Sequence, residues 1–168
     1  VMDTKLKYKE HIARAGAKGL EAVLELRRLK GLSPATARQL LTATVAPVVD
    51  YASSVWMHEC QYKAARPISR IQKIGAQAIV GTFMTVATSV AEAEAHIVTL
   101  QGRFWRKAIK TWTDIHTLPD TNPLRNCIGR MRKFRRFHRS PLFRVADALK
   151  EMPIDCLEII DPFTLAPW

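Results

Sequence analysis

The segment that decides the fold is Ala46-Pro47-Val48-Val49-Asp50-Tyr51-Ala52-Ser53-Ser54-Val55-Trp56. It continues a helical pattern that begins at Ser33-Pro34, where serine is a good N-cap and proline suits the first helical position. Because Pro47 has no backbone N–H, it predicts a kink near Ala43 within one helix that reaches about Met57. Apolar spacing predicts the inward stripe of this helix, which is Leu41, Val45, Val48, Ala52 and Val55.

The rest of the chain is also dominated by helical periodicity. Helices are predicted at about 8–30, 34–57, 67–80, 88–96, 100–116, 123–137 and 141–150. In the first of them, Leu20, Leu24 and Leu29 are expected to widen the apolar face made by Ile12, Gly16, Gly19, Val23 and Leu26. No strand pattern is strong, and the chain is therefore predicted to be mainly α. We expect a multi-helix bundle at residues 1–118 and a basic helical connector with an extended tail, starting near Met152, at 119–168.

The charge balance points to a polyanionic partner. The 168 residues include 26 Lys and Arg against 15 Asp and Glu, which gives a formal net charge of +11. The cations are clustered, and between Thr121 and Ala146 there are eight Lys and Arg residues and no acidic residue. Such clustering favours nucleic acid. A solubilising surface, or a patch that meets an acidic protein, is the alternative.

Two further sets of cations recur at helical spacing, one on each of two predicted helices. The first is Arg66, Arg70 and Lys73, continued by Gln77, and the second is Arg103, Lys107 and Lys110. A helix that buries one face and offers cations on the other can lie along a phosphate backbone, although each stripe alone also fits an ordinary solvated face. The predicted nucleic-acid contacts are Arg66, Arg70, Lys73, Arg103, Lys107, Lys110, Arg125, Arg130, Arg132, Lys133, Arg135, Arg136 and Arg139.

The sequence offers no constellation for catalysis. No pair of aspartates suits two-metal nucleotidyl transfer, no phosphate-binding glycine loop occurs, and the histidines, His11 among them, are isolated and expected to be structural. Cys60, Cys127 and Cys156 have neither zinc spacing nor a disulfide pattern, so we expect reduced and mostly buried thiols in the nucleus or cytoplasm. No run of about 18 apolar residues predicts a membrane span. We therefore expect no metal, no cofactor and no independent enzyme activity.

Several motifs resemble LINE-type (non-long-terminal-repeat) retrotransposon reverse transcriptases. Pro47 to Trp56 resembles the family segment of proline, tyrosine, a small residue and tryptophan that follows the polymerase palm. Four further stretches resemble the palm exit, the next two helical motifs and the connector before a ribonuclease H domain, especially in fungal elements. These stretches are Val1–Ile12, Ile71–Gly81, Thr85–His96, and Ser140-Pro141-Leu142 with Leu157–Pro162 and Pro167-Trp168.

This resemblance implies a non-catalytic thumb and connector of an RNA-directed DNA polymerase. Such a thumb holds the RNA or DNA template–primer by its backbone while the palm carries the catalytic aspartates. The palm and a ribonuclease H domain of the parent polyprotein would be its covalent partners, and we expect Val1-Met2-Asp3 to continue from a longer chain. Three alternatives stay open: a helical protein-interaction module, a degenerate transposon remnant with no independent activity, or a fragment that is unstable by itself.

Overall fold

The computed structural model describes residues 8–57, 66–127, 141–151 and 154–159. Every regular element in these ranges is helical, which confirms the mainly α prediction. The helices are α1 (Lys9–Arg28), α2 (Pro34–Leu40), α3 (Ala46–Val49), α4 (Ser53–Trp56), α5 (Arg66–Val80), α6 (Thr88–Glu94), α7 (Leu100–His116) and α8 (Pro141–Ala148). A π-helical turn, Leu41–Val45, joins α2 to α3, a 3-10 turn covers Ile154–Cys156, and residues 123–127 are also helical.

The chain divides into two compact units, residues 1–104 and 105–168. Sequence patterning placed the boundary between 118 and 119, at the end of the α7 periodicity. The division into compact units falls within α7, between Phe104 and Trp105, so the first residues of this helix belong to one unit and the remainder to the other.

In the first unit, α1 packs closely against two other helices at its glycines. A Cβ added to Gly16 would lie 2.9 Å from Pro67 Cβ, and one added to Gly19 would lie 2.4 Å from Val49 Cγ2. The buried residues of α1 include its predicted apolar face, so the glycines sit where a neighbouring helix needs the space. The prediction that Leu24 and Leu29 widen this face was wrong, because both residues are exposed.

The predicted helix from Pro34 to about Met57 is interrupted twice. Its start is as predicted, since Ser33 Oγ accepts a hydrogen bond from Thr36 N at 3.1 Å. The α-helical pattern then gives way to the π turn at Leu41–Val45, immediately before Pro47, where the missing N–H was expected to disrupt it. A second break follows α3, where Ala52 adopts a left-handed conformation with φ 52°.

These interruptions shift the buried stripe by one residue. Leu41 and Val45 are buried as predicted, but the predicted inward residues Val48, Ala52 and Val55 are exposed. The buried positions are instead their neighbours Val49, Ser53 and Trp56. A π turn holds one residue more than an α turn, so everything after it is displaced by one position relative to an uninterrupted helix.

Trp56 lies at the centre of the first unit. Its side chain is buried, its Nε1 donates to Tyr51 O at 2.8 Å, and its ring meets that of Phe104 edge-on with centroids 5.1 Å apart. Burial of a bonded indole against another aromatic ring stabilises both. α5 covers this core with Ile68, Ile71 and Ile74, and it ends at Gly81, whose φ of +71° favours glycine.

In the second unit, the ring of His116 lies 3.8 Å from that of Trp112, and its Nδ1 is 2.8 Å from Trp112 O. Asn122 caps the helical residues 123–127, since its Oδ1 accepts a hydrogen bond from Leu124 N at 3.0 Å. The 3-10 turn at Ile154–Cys156 replaces part of the predicted extended tail, and 160–168 lie outside the described residues. The prediction of mostly buried thiols was wrong for Cys127 and Cys156, which are exposed, while Cys60 lies outside the described residues.

Candidate nucleic-acid interface

The outward face of α5 carries three of the predicted cations. Arg66 and Arg70 are exposed and Lys73 is half-buried, four and three residues apart, so they follow one another along the helix surface. We call these three residues the α5 stripe. Within the described part of the chain, no carboxylate forms an ion pair with any of them.

The α5 stripe ends one turn earlier than the sequence pattern suggested. Gln77, predicted to continue it, is buried, and its Nε2 donates to Phe83 O at 3.1 Å. The helix therefore offers solvent only its first two turns on this side. The last turn of α5 instead anchors the loop that follows Gly81, because the Gln77 amide donates a hydrogen bond to the backbone carbonyl of Phe83.

Arg103, also a predicted contact, points to an internal carboxylate. Its Nε lies 2.9 Å from Asp50 Oδ2 and its Nη2 lies 3.1 Å from Asp50 Oδ1, a bidentate pair in which the Asp50 side chain is only 3% exposed. The remaining Nη1 donates to Gln72 Oε1 and, at 3.4 Å, to Val98 O. These hydrogen bonds join Arg103 to three segments of the first unit, so most of its guanidinium is engaged within the chain.

The predicted cations of the second unit differ in their surroundings. Lys110 Nζ lies 2.9 Å from Asp114 Oδ2 in an exposed pair one helical turn apart, while Lys107 is exposed on the same helix. Arg125 pairs with Asp120 at 2.9 Å and also donates to Leu118 O. The Lys110–Asp114 pair is exposed, so it is weak and can exchange for phosphate, whereas the Arg125 side chain is only 29% exposed. Arg130, Arg132, Lys133, Arg135, Arg136 and Arg139 lie outside the described residues.

A groove between α1 and α3 was not anticipated from the sequence. It is an open groove with a volume of about 490 Å³, lined by His11, Arg14, Ala15, Lys18, Pro47, Val48 and Tyr51. The spacing of Arg14 and Lys18, one helical turn apart, was a visible signal for a basic face on α1. Tyr51 and Val48 were not foreseeable as its other wall, because their outward position follows from the one-residue shift after the π turn.

The described residues hold no group of three or more histidine, cysteine, aspartate or glutamate side chains able to bind a metal ion. None of the described helices combines the length and the apolar character needed to cross a membrane. Comparisons with protein-family models, with curated proteins and with solved structures found no match to this chain.

Proposed function

We propose that this protein binds nucleic acid by its phosphate backbone, without reading sequence, and that the α5 stripe is one of its contacts. The observation that carries the proposal is the pairing difference among the predicted cations. Arg103, Lys110 and Arg125 each have a carboxylate within the chain, whereas no carboxylate pairs with the α5 stripe in its described part.

The geometry of the stripe suits a phosphate ladder. Successive turns of an α-helix rise about 5.4 Å, so cations at these spacings form a row on one side of a rod. The opposite side of α5 is fixed in the core by Ile68 and Ile71, so the row is held in place by packing. Rigid rows of lysine and arginine position a protein on a duplex without contacting the bases.

The resemblance to LINE-type reverse transcriptases supplies the biological setting of this proposal. In it, the helices form a thumb that grips the template–primer, the connector leads towards a ribonuclease H domain, and the palm carries out the chemistry. The mainly helical structure is compatible with this role. The shared order of motifs from Val1–Ile12 to Pro167-Trp168 is its support, and the chain acts there as a non-catalytic part of an RNA-directed DNA polymerase.

A protein-interaction module is the second candidate, because several large apolar side chains of the first unit face solvent. Phe83 is 83% exposed, Met84 follows it in the loop after α5, and Val90 is exposed on α6. Aromatic residues and methionine are enriched where proteins meet. If this candidate is correct, Phe83→Ser with Met84→Ser abolishes capture of a protein partner and leaves nucleic-acid affinity unchanged.

A salt titration of binding tests the first proposal. The full chain is titrated with a fluorescent duplex at several salt concentrations between about 50 and 200 mM, and the slope of log affinity against log salt is measured. The variant carries Arg66→Gln, Arg70→Gln and Lys73→Gln. Its matched control carries Lys9→Gln, Arg27→Gln and Lys30→Gln, which removes the same number of positive charges from exposed positions on α1 and just after it.

We expect the α5 variant to bind more weakly than the control and to have a slope shallower by about 2, since each phosphate contact contributes about 0.7 to 0.9. Equal losses in the two variants would show that only net charge matters, and would refute the stripe. No binding by the unchanged chain at about 50 mM salt would remove the proposal altogether.

A further inference from the structure

The α1–α3 groove combines two kinds of surface. Arg14 and Lys18 stand one turn apart on α1, and the described residues provide no ion-pair partner for either. Ala15, Pro47 and Val48 supply apolar lining. Cations without an internal carboxylate beside an apolar wall favour a ligand that is anionic at one end and apolar at the other.

Tyr51 makes the apolar wall aromatic. Tyr51 is 70% exposed, although its backbone carbonyl accepts a hydrogen bond from the Trp56 indole at 2.8 Å. The backbone is therefore anchored while most of the residue is accessible to solvent. His11 lies behind it, with ring centroids 6.4 Å from Tyr51 and 5.6 Å from Trp56. A ring supported in this way can stack on a flat ligand without a large loss of side-chain entropy.

We propose that the α1–α3 groove binds one unpaired nucleotide of a single-stranded segment, with the base stacked on Tyr51 and its phosphate held by Arg14 and Lys18. This inference rests on the proposed function in one respect, that the ligand is nucleic acid. The groove volume of about 490 Å³ falls within the range of about 300–1,000 Å³ typical of ligand sites. An acidic peptide would satisfy the cations but would leave the Tyr51 ring unused.

The groove and the α5 stripe are suited to different forms of nucleic acid. The bases of a duplex are stacked on one another, so they offer no free face to a tyrosine ring, whereas single strands bind through cations and aromatic stacking together. The α5 stripe is made of cations alone and suits a duplex backbone. The groove therefore gives this protein a preference for an unpaired end or flap, independent of base identity.

The test compares binding of the full chain to a fluorescent eight-nucleotide oligo(dT) and to a blunt duplex. The variants are Tyr51→Ala, Tyr51→Phe, and Arg14→Gln with Lys18→Gln. Phe83→Ala is the matched control, because Phe83 is another highly exposed aromatic ring of the first unit but does not line the groove. Thermal unfolding by circular dichroism checks that every variant is folded.

We expect Tyr51→Ala to weaken oligo(dT) binding about 10-fold, as loss of one stacked base predicts, and to leave duplex binding unchanged. Tyr51→Phe should retain the affinity because the ring, not the hydroxyl, stacks. Replacement of both cations should weaken oligo(dT) binding and reduce its salt dependence. An oligonucleotide with 5-iodouracil should crosslink to Tyr51 under long-wavelength ultraviolet light.

Three results would overturn the inference. If Tyr51→Ala behaves like Phe83→Ala while the duplex still binds through the α5 stripe, the groove proposal fails and the proposed function stands. If poly-glutamate binds in a manner that depends on Arg14 and Lys18 but not on Tyr51, the groove takes acidic peptides instead. If the chain binds neither nucleic acid, both proposals fail, whereas loss of only the α5 effect leaves the groove intact.

Discussion

Helix α5 and the segment from Leu41 to Trp56 carry the same kind of apolar pattern but use it differently. In α5, Ile68, Ile71 and Ile74 are buried where their spacing predicts. In the other segment the predicted residues are buried up to Val45. Beyond Val45, each buried residue lies one position after the predicted one. Both segments pack against the same core. A difference in hydrophobic content therefore does not explain why only α5 follows its predicted pattern of burial.

This difference shows that a single extra residue in one helical turn determines which side chains are buried and which are exposed. After the π turn at Leu41–Val45, the inward face contains Val49 and Trp56, and Asp50 is buried beside them. Asp50 thereby becomes the partner of Arg103, and Tyr51 becomes the exposed wall of the α1–α3 groove. The groove proposed to bind a nucleotide and the internal ion pair both follow from the same shift.

The largest expected effect is the contrast between two deletions, each of which removes one exposed residue. One lies in α5 and the other in the Leu41–Trp56 segment. Removal of Ser69 rotates the two halves of α5 by about 100° relative to each other, so Ile71 and Ile74 leave the core. Each buried isoleucine contributes about 2 to 5 kcal/mol, which together approaches the whole stability of a small domain. We expect this variant to lose cooperative urea unfolding when it is followed by tryptophan fluorescence.

Removal of Thr44, combined with Pro47→Ala, is the matched deletion in the other region. It takes the extra residue out of the π turn, so Leu41, Val45 and Val49 return to regular helical spacing on one side. Its main loss is the hydrogen bond from Thr44 Oγ1 to Leu40 O at 2.7 Å, worth about 1 kcal/mol. This variant should unfold cooperatively. If neither deletion variant folds, the π turn does not arise from one extra residue in the helix.

The next effect concerns the ion pair that the shift creates. Asp50→Ala leaves the Arg103 guanidinium without its carboxylate in a largely buried position, and such a loss costs about 3 kcal/mol. Asp114→Ala, which breaks the exposed pair with Lys110, should cost less than about 1 kcal/mol. Urea denaturation of both variants measures the two free energies of unfolding. Equal values would mean that the Asp50–Arg103 pair is not buried in solution.

An effect smaller than that of Asp50→Ala is expected at Gly19, where the two regions meet on α1. A Cβ there would lie 2.4 Å from Val49 Cγ2 and 2.9 Å from Ile71 Cδ1, so Gly19→Ala should cost about 1 to 2 kcal/mol. Val49→Ala removes the closer of these contacts. In that background the added methyl group should cost less than it does in the unchanged chain, as a double-mutant cycle of thermal unfolding would measure. Strict additivity of the two changes would contradict the close packing.

Much of the fold was predictable because it depends on local rules. The ends of α5 and α7, the serine cap of α2 and the asparagine cap at Asn122 follow from propensity and capping chemistry. The α5 stripe was predictable for the same reason, since its cations lie opposite an uninterrupted apolar face. Arg103 was not, because nothing in its neighbourhood along the chain reveals a carboxylate 53 residues away.

The sequence by itself determined that this chain is mainly helical, that it is strongly basic, and that α5 presents Arg66 and Arg70 away from its buried side. Only the tertiary structure decided how the region around Pro47 is phased. A proline can be accommodated by several local distortions that differ little in local energy, and packing of Val49 and Trp56 in the core selects one of them. That selection, a long-range effect, places Asp50 inside and Tyr51 outside.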